Sequence, residues 1–126
     1  KVERAVRLLN QLDPQQNTRY RYNGGYLILE FTSDFMDKVY RGHLSDVVIE
    51  EDPMEGKYEF GDGSILYSVS LRCVEGNCIT RTITYGGKTV VEGVPVMGPD
   101  VATRADYRRA VKALEYLKSV AAEEEF

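Results

Sequence analysis

The stretch Arg19-Tyr20-Arg21-Tyr22-Asn23-Gly24-Gly25-Tyr26-Leu27-Ile28-Leu29-Glu30-Phe31 decides the fold class. Aromatic, cationic and aliphatic residues flank Asn23-Gly24-Gly25, which tolerates the positive φ of a tight turn, so residues 19–22 and 26–31 read as the two strands of a hairpin. The same pattern continues downstream. Residues 44–50, 57–60 and 65–73 are dense in β-branched and apolar side chains, the last two separated by Gly61-Asp62-Gly63-Ser64. Residues 77–85 and 88–97 follow, joined at Gly86-Gly87, which brings the set to seven strands in hairpin-like succession and implies an antiparallel sheet. Residues 32–43 read either as a short helix capped by Ser33 or Asp34 and running through Tyr40, or as an irregular excursion between strands.

A helix stands on each side of these strands. Val2, Ala5, Val6, Leu9 and Leu12 fall at helical spacing before Asp13-Pro14, giving a short amphipathic helix that ends near Leu12. Thr103 precedes Arg104, Ala105 and Asp106 in a capping-box pattern, and Tyr107, Ala110, Val111, Leu114, Leu117 and Ala121 continue along one helical face. That helix is expected to run to about Val120, with residues 122–126 an acidic tail frayed by carboxylates near the negative helix end. The expected architecture is α+β: a curled antiparallel sheet of about seven strands packed with a C-terminal helix, plus the short N-terminal helix. Over residues 19–120 this element order resembles that of pleckstrin-homology-like (PH-like) domains, in which a terminal helix closes the open end of a bent sheet. The resemblance covers element order alone and brings no binding-residue motif with it. The N-terminal helix departs from that pattern and fits a cystatin-like or other helix-on-sheet fold.

The 126 residues carry 16 Lys plus Arg against 20 Asp plus Glu, a net charge of −4, and are 43% hydrophobic. This composition suits one domain over residues 1–126 and excludes wholesale disorder. No apolar run of the roughly 20 residues needed for a membrane helix is present, and Lys1-Val2-Glu3-Arg4 does not begin a signal peptide. The missing initiator Met points to a processed chain or a part of a larger protein, and the expected setting is cytoplasmic. The acidic balance gives no bulk attraction for nucleic acid or anionic lipid. A protein or peptide is therefore the expected partner, and a homodimer through the N-terminal helix is an alternative.

Chemistry-bearing groups are sparse. Cys73 and Cys78 are read through strand alternation: if residues 65–73 and 77–85 form a hairpin with a three-residue loop Val74-Glu75-Gly76, Cys73 faces inward opposite Asn77, and Cys78 lies outward opposite Arg72. This register argues against a bridge, so both are expected as free thiols. Two cysteines and the single His43 fall short of the usual four zinc ligands. His43 lies three residues before Asp46, within reach of a histidine–carboxylate contact, but no nucleophile motif accompanies them. Asp46, Glu50, Glu51, Asp52 and Glu55 lack the ligand alternation and central Gly of a calcium loop and read as a solvated segment. Gly61-Asp62-Gly63-Ser64 lacks a Walker lysine and reads as a reverse turn. No catalytic residue, metal or cofactor is expected.

Nine tyrosines and no tryptophan are the least ordinary feature of the composition. In Arg19-Tyr20-Arg21-Tyr22 an edge strand shows either both arginines or both tyrosines outward; the bland alternative packs the rings and solvates the cations. Arg19, Tyr20, Arg21, Tyr22, His43 and Arg72 are the candidate binding residues. The expected function is a noncatalytic interaction or adaptor module that holds a peptide at a sheet edge or in a groove beside the C-terminal helix. The alternatives are a small-ligand or enzyme domain with a pocket between sheet and helix, and a structural dimerisation domain.

Overall fold

In a computed structural model, which describes residues 1–12, 17–50, 57–59 and 65–124, with 57–59 and Ile65 as backbone, the first hairpin forms with Asn23 inside its strand and a two-residue Gly24-Gly25 turn. Strand β1 (Thr18–Asn23) pairs antiparallel with β2 (Tyr26–Thr32), Asn23 opposite Tyr26. β3 (Met36–His43) lies on the far side of β2, followed in space by β8 (Ile79–Tyr85) and β9 (Lys88–Val94), giving the sheet order β1-β2-β3-β8-β9. β8 and β9 are joined by Gly86-Gly87 at φ 55 and 79°, the left-handed conformation that a two-residue hairpin loop requires.

A second antiparallel layer consists of two three-stranded ladders in series. One has the order β10-β7-β4 and comprises β4 (Val47–Glu50), β7 (Ser70–Cys73) and β10 (Val96–Met97). The other has the order β11-β6-β5 and comprises β5 (Lys57–Glu59), β6 (Ile65–Ser68) and β11 (Asp100–Val101). Only Val69 separates β6 from β7, and its N–H donates to the Pro99 carbonyl at 3.0 Å, so the two runs of chain stay paired across the interruption.

Helix α1 (Val2–Leu12) packs on β1 and on α2 (Arg104–Glu124), while α2 also lies against β4, β6 and β11. The core lies between these layers. Leu27, Leu29 and Ile79 come from the large sheet, Val47, Leu71 and Met97 from the second layer, and Leu9, Leu114 and Leu117 from the helices. Each fully buried side chain of this size stabilises the fold by roughly 1.5–3 kcal/mol. Thr103 caps α2 as its sequence suggests, Oγ1 accepting from the Asp106 N–H at 3.0 Å. Lys118 fastens α2 to the 3-10 turn Leu44–Asp46 and the start of β4, its ammonium donating to the Leu44 and Val47 carbonyls.

The α+β class and the antiparallel pairing stand as expected, and the arrangement differs in several places. One curled sheet of about seven strands is replaced by the five-stranded sheet and the two shorter ladders. Residues 32–43 hold neither a helix nor an excursion. Ser33 closes a hairpin there, its hydroxyl donating to the Met36 carbonyl at 2.8 Å, and β3 becomes the central strand of the large sheet. The front of the expected strand 44–50 is the 3-10 turn. Helix α2 extends to Glu124, past the expected end near Val120, and the Tyr22 hydroxyl donates to the Glu124 carboxylate at 3.1 Å.

The free-thiol expectation is corrected as well. Cys73 and Cys78 form a disulfide with Cα atoms 5.7 Å apart. The free-thiol register requires the strands before and after Gly76 to pair with each other. Instead β7 pairs with β4 and β10, Cys73 lies opposite Val47, and residues 74–78 carry the chain from one layer to the other. Gly61-Asp62-Gly63-Ser64 and three members of the acidic cluster, Glu51, Asp52 and Glu55, lie outside the described residues.

Candidate functional site

The large sheet has two edges, and they differ. In the β1–β2 ladder Arg19, Arg21 and Asn23 direct their backbone groups at β2, so the N–H and C=O of Tyr20 point away from the sheet. Asn10 of α1 takes both: its Oδ1 accepts from the Tyr20 N–H at 2.7 Å and its Nδ2 donates to the Tyr20 carbonyl at 3.2 Å. One amide side chain thus closes the middle of the β1 edge.

At β9 the same alternation, counted from the Gly86-Gly87 turn, sends the backbone of Lys88, Val90, Glu92 and Val94 to β8 and that of Thr89, Val91 and Gly93 outward. Among the described residues no backbone hydrogen bond reaches those three positions. Val90 and Val91 are 54% and 63% exposed, and Tyr85 at the neighbouring turn is 60% exposed. A seven-residue edge strand with two exposed valines and backbone groups unpaired among the described residues is a template for another strand.

The sequence-derived candidates are dispersed. Arg19 and Arg21 are exposed on the outer face of the large sheet, Arg21 paired with Glu30, while Tyr20 is 2% exposed in the core, as the bland alternative holds. Tyr22 is half-buried on the inner side against α2, and its phenol pKa lies above the ordinary 10.0 because of burial first and its bond to Glu124 second. His43 ends β3. Its Nδ1 accepts from the Ser45 N–H at 3.2 Å, and its ring meets Tyr26 edge-on at 4.9 Å. Arg41 stacks on the same Tyr26 ring, 3.7 Å from its centroid. Arg72 belongs to the second layer and pairs with Glu50 at 2.6 Å, so it does not join Arg19 and Arg21.

Two concavities accompany the open edge. The first is a cleft of about 270 Å³ between the layers, lined by Leu29, Phe31, Tyr40 and Met97 with Lys38 and Asp100 as its charged groups. Asp100 already accepts from the Ser68 hydroxyl, whereas Lys38 has no ion pair among the described residues. The second, of about 420 Å³, runs between α1 and α2. Its apolar floor includes Ala5, Leu8, Ala113 and Tyr116, and its rim carries Lys1, Arg4, Arg109 and Lys112. Among the described residues no cluster of three or more His, Cys, Asp or Glu has metal-binding geometry, and no helix is long and apolar enough to cross a membrane.

Reading the sequence missed Thr89 and Val91 because their importance depends on strand order. It also missed the rim cations, although Arg104, Arg108, Arg109 and Lys112 crowd the first half of α2. No protein-family description, curated protein or solved structure matches this chain.

Proposed function

We propose that this domain is a noncatalytic interaction module that binds an extended segment of a partner protein by strand addition along β9. The observation that carries the reading is the contrast between the two edges: β1 is closed at Tyr20 by Asn10, and β9 has, among the described residues, no backbone partner at Thr89 and Val91, beside exposed Val90 and Val91. Main-chain hydrogen bonds to Thr89 and Val91 supply affinity in such an arrangement. Apolar contacts with the two valines and Tyr85 select β-branched or aromatic residues in the added strand. The PH-like element order is compatible with this role and lends it no weight. A cytoplasmic setting stands in tension with the Cys73–Cys78 bridge, because structural disulfides persist mainly in oxidising compartments.

The test is panning of a random peptide library against the domain, followed by Val91→Pro. Proline at position 91 removes an outward N–H and no ladder bond, so the fold survives and captured peptides lose binding. Unchanged binding to Val91→Pro contradicts strand addition. A concentration-dependent dimer abolished by Val91→Pro identifies a second copy of the chain as the added strand instead.

A second reading rests on the cleft between the layers. Its apolar walls and the Lys38 ammonium, which has no ion pair among the described residues, suit a small ligand with one anionic group and an apolar body. Thermal stabilisation by short-chain carboxylic acids that is lost in Lys38→Met supports this reading, and its absence across such a series removes it.

A further inference from the structure

We infer that the groove between α1 and α2 is a second docking surface, and that its occupant is an acidic amphipathic helix of a partner protein. The chain as a whole is acidic, with a net charge of −4, yet the groove rim has four cations and no carboxylate among its described lining residues. Arg109 makes a long contact of 3.5 Å with Asp106, and Lys1, Arg4 and Lys112 have no ion pair among the described residues. Two of these cations, Arg109 and Lys112, lie one turn apart on α2 and face the same groove as Lys1 and Arg4 of α1. Four cations around one groove repel one another, and a bound anionic partner relieves that repulsion.

The shape of the surface narrows the partner class. The floor lies between two helices and is flanked by half-buried Leu8 and Tyr116, so it receives the apolar ridge of a third helix, with carboxylates on both flanks of that ridge meeting the rim.

The groove lies on the helix pair beside β1, at the opposite end of the large sheet from β9, so this inference and strand addition fail separately. The probe is a synthetic helical peptide of about 16 residues with leucines at i, i+3, i+4 and i+7 and glutamates on both flanks. A fluorescent label reports its binding by anisotropy. Saturable binding is expected, weakening about tenfold or more between roughly 50 and 300 mM salt. The double variant Arg4→Glu/Lys112→Glu, both exposed rim positions, loses binding by a similar factor, and Val91→Pro leaves it unchanged. The reverse-charged peptide with lysine in place of glutamate does not bind. No saturable binding at low salt, or binding indifferent to the double variant, overturns the inference. Co-sedimentation with phosphatidylserine vesicles that depends on Arg4 and Lys112, without peptide binding, overturns it in favour of a membrane surface.

Discussion

Replacing Asn10 with alanine isolates the device that separates the two sheet edges. The Asn10 amide makes two hydrogen bonds to Tyr20, one accepted at 2.7 Å and one donated at 3.2 Å, in a partly buried setting. At about 1 kcal/mol net for each bond, their loss destabilises the fold by about 2 kcal/mol. Alanine is the better helix former by about 0.5 kcal/mol, and position 10 lies inside α1, so the net loss is about 1.5 kcal/mol. For a chain of 126 residues this lowers the melting temperature by about 6 °C. Urea unfolding followed by circular dichroism measures the free-energy change. Gln11→Ala, at an exposed neighbouring position, controls for helix propensity. Asn10→Asp keeps the acceptor for the Tyr20 N–H and sets a carboxylate against the Tyr20 carbonyl, so it is at least as destabilising as alanine. Because the variant also uncovers the β1 edge, light scattering should show more self-association. A loss below about 0.5 kcal/mol for Asn10→Ala, equal to that of Gln11→Ala, refutes the claim that this clasp holds the edge.

Three further outcomes follow from particular contacts. Thiol labelling in denaturant without reductant should find no free thiol, and the Cys73→Ser/Cys78→Ser pair, which opens a link across a sequence separation of 5, should cost about 2 kcal/mol. The phenol of Tyr22 has a raised pKa, so its contribution to stability is complete below pH 10.0 and is lost as pH rises through the higher folded value. NMR titration of Tyr22 should show Glu124→Gln moving its ionisation to lower pH without cancelling the whole shift, since burial is the larger cause. Gly98→Ala should be the severest of the glycine substitutions, because a Cβ there meets the Val69 carbonyl oxygen at 1.6 Å, against the backbone of the strand interruption. Soluble expression and a melting temperature near that of the parent protein would contradict that packing.

Local signals were legible in the sequence where one residue type performs one job. The Thr103 cap and the stripe from Tyr107 to Ala121 define α2, and the glycines at 24–25 and 86–87 mark two hairpins. β3 was hidden because both its faces are mixed. Met36, Lys38, Tyr40 and Gly42 share the inner face with Asp37, Val39 and Arg41 on the outer, so no alternation of polarity marks the strand. Gly42 also looks like a break, yet Ile79 and Met97 pack against the space its missing side chain leaves. Pairing across residues 74–78 was misread for a related reason. The strands on both sides present apolar residues to one core, and nothing local distinguishes a hairpin from a passage between layers. That passage places Cys73 and Cys78 within bridging distance. The candidate site was less legible still. Alternation rightly allowed buried tyrosines and solvated arginines at residues 19–22, but the open edge follows from strand order, and its contrast with β1 follows from a side chain on another element.

Amide hydrogen exchange at Tyr20, Thr89 and Val91, read residue by residue by NMR, tests the central claim most directly. In the free domain Tyr20 should be protected by Asn10, while Thr89 and Val91 exchange near the rate of open chain. On saturation with a library-selected peptide, Thr89 and Val91 should become protected together and Tyr20 should be unchanged. Protection of Thr89 and Val91 already in the free monomer, or bound-state protection confined to other elements, contradicts the account of β9 as the open edge that receives a partner strand.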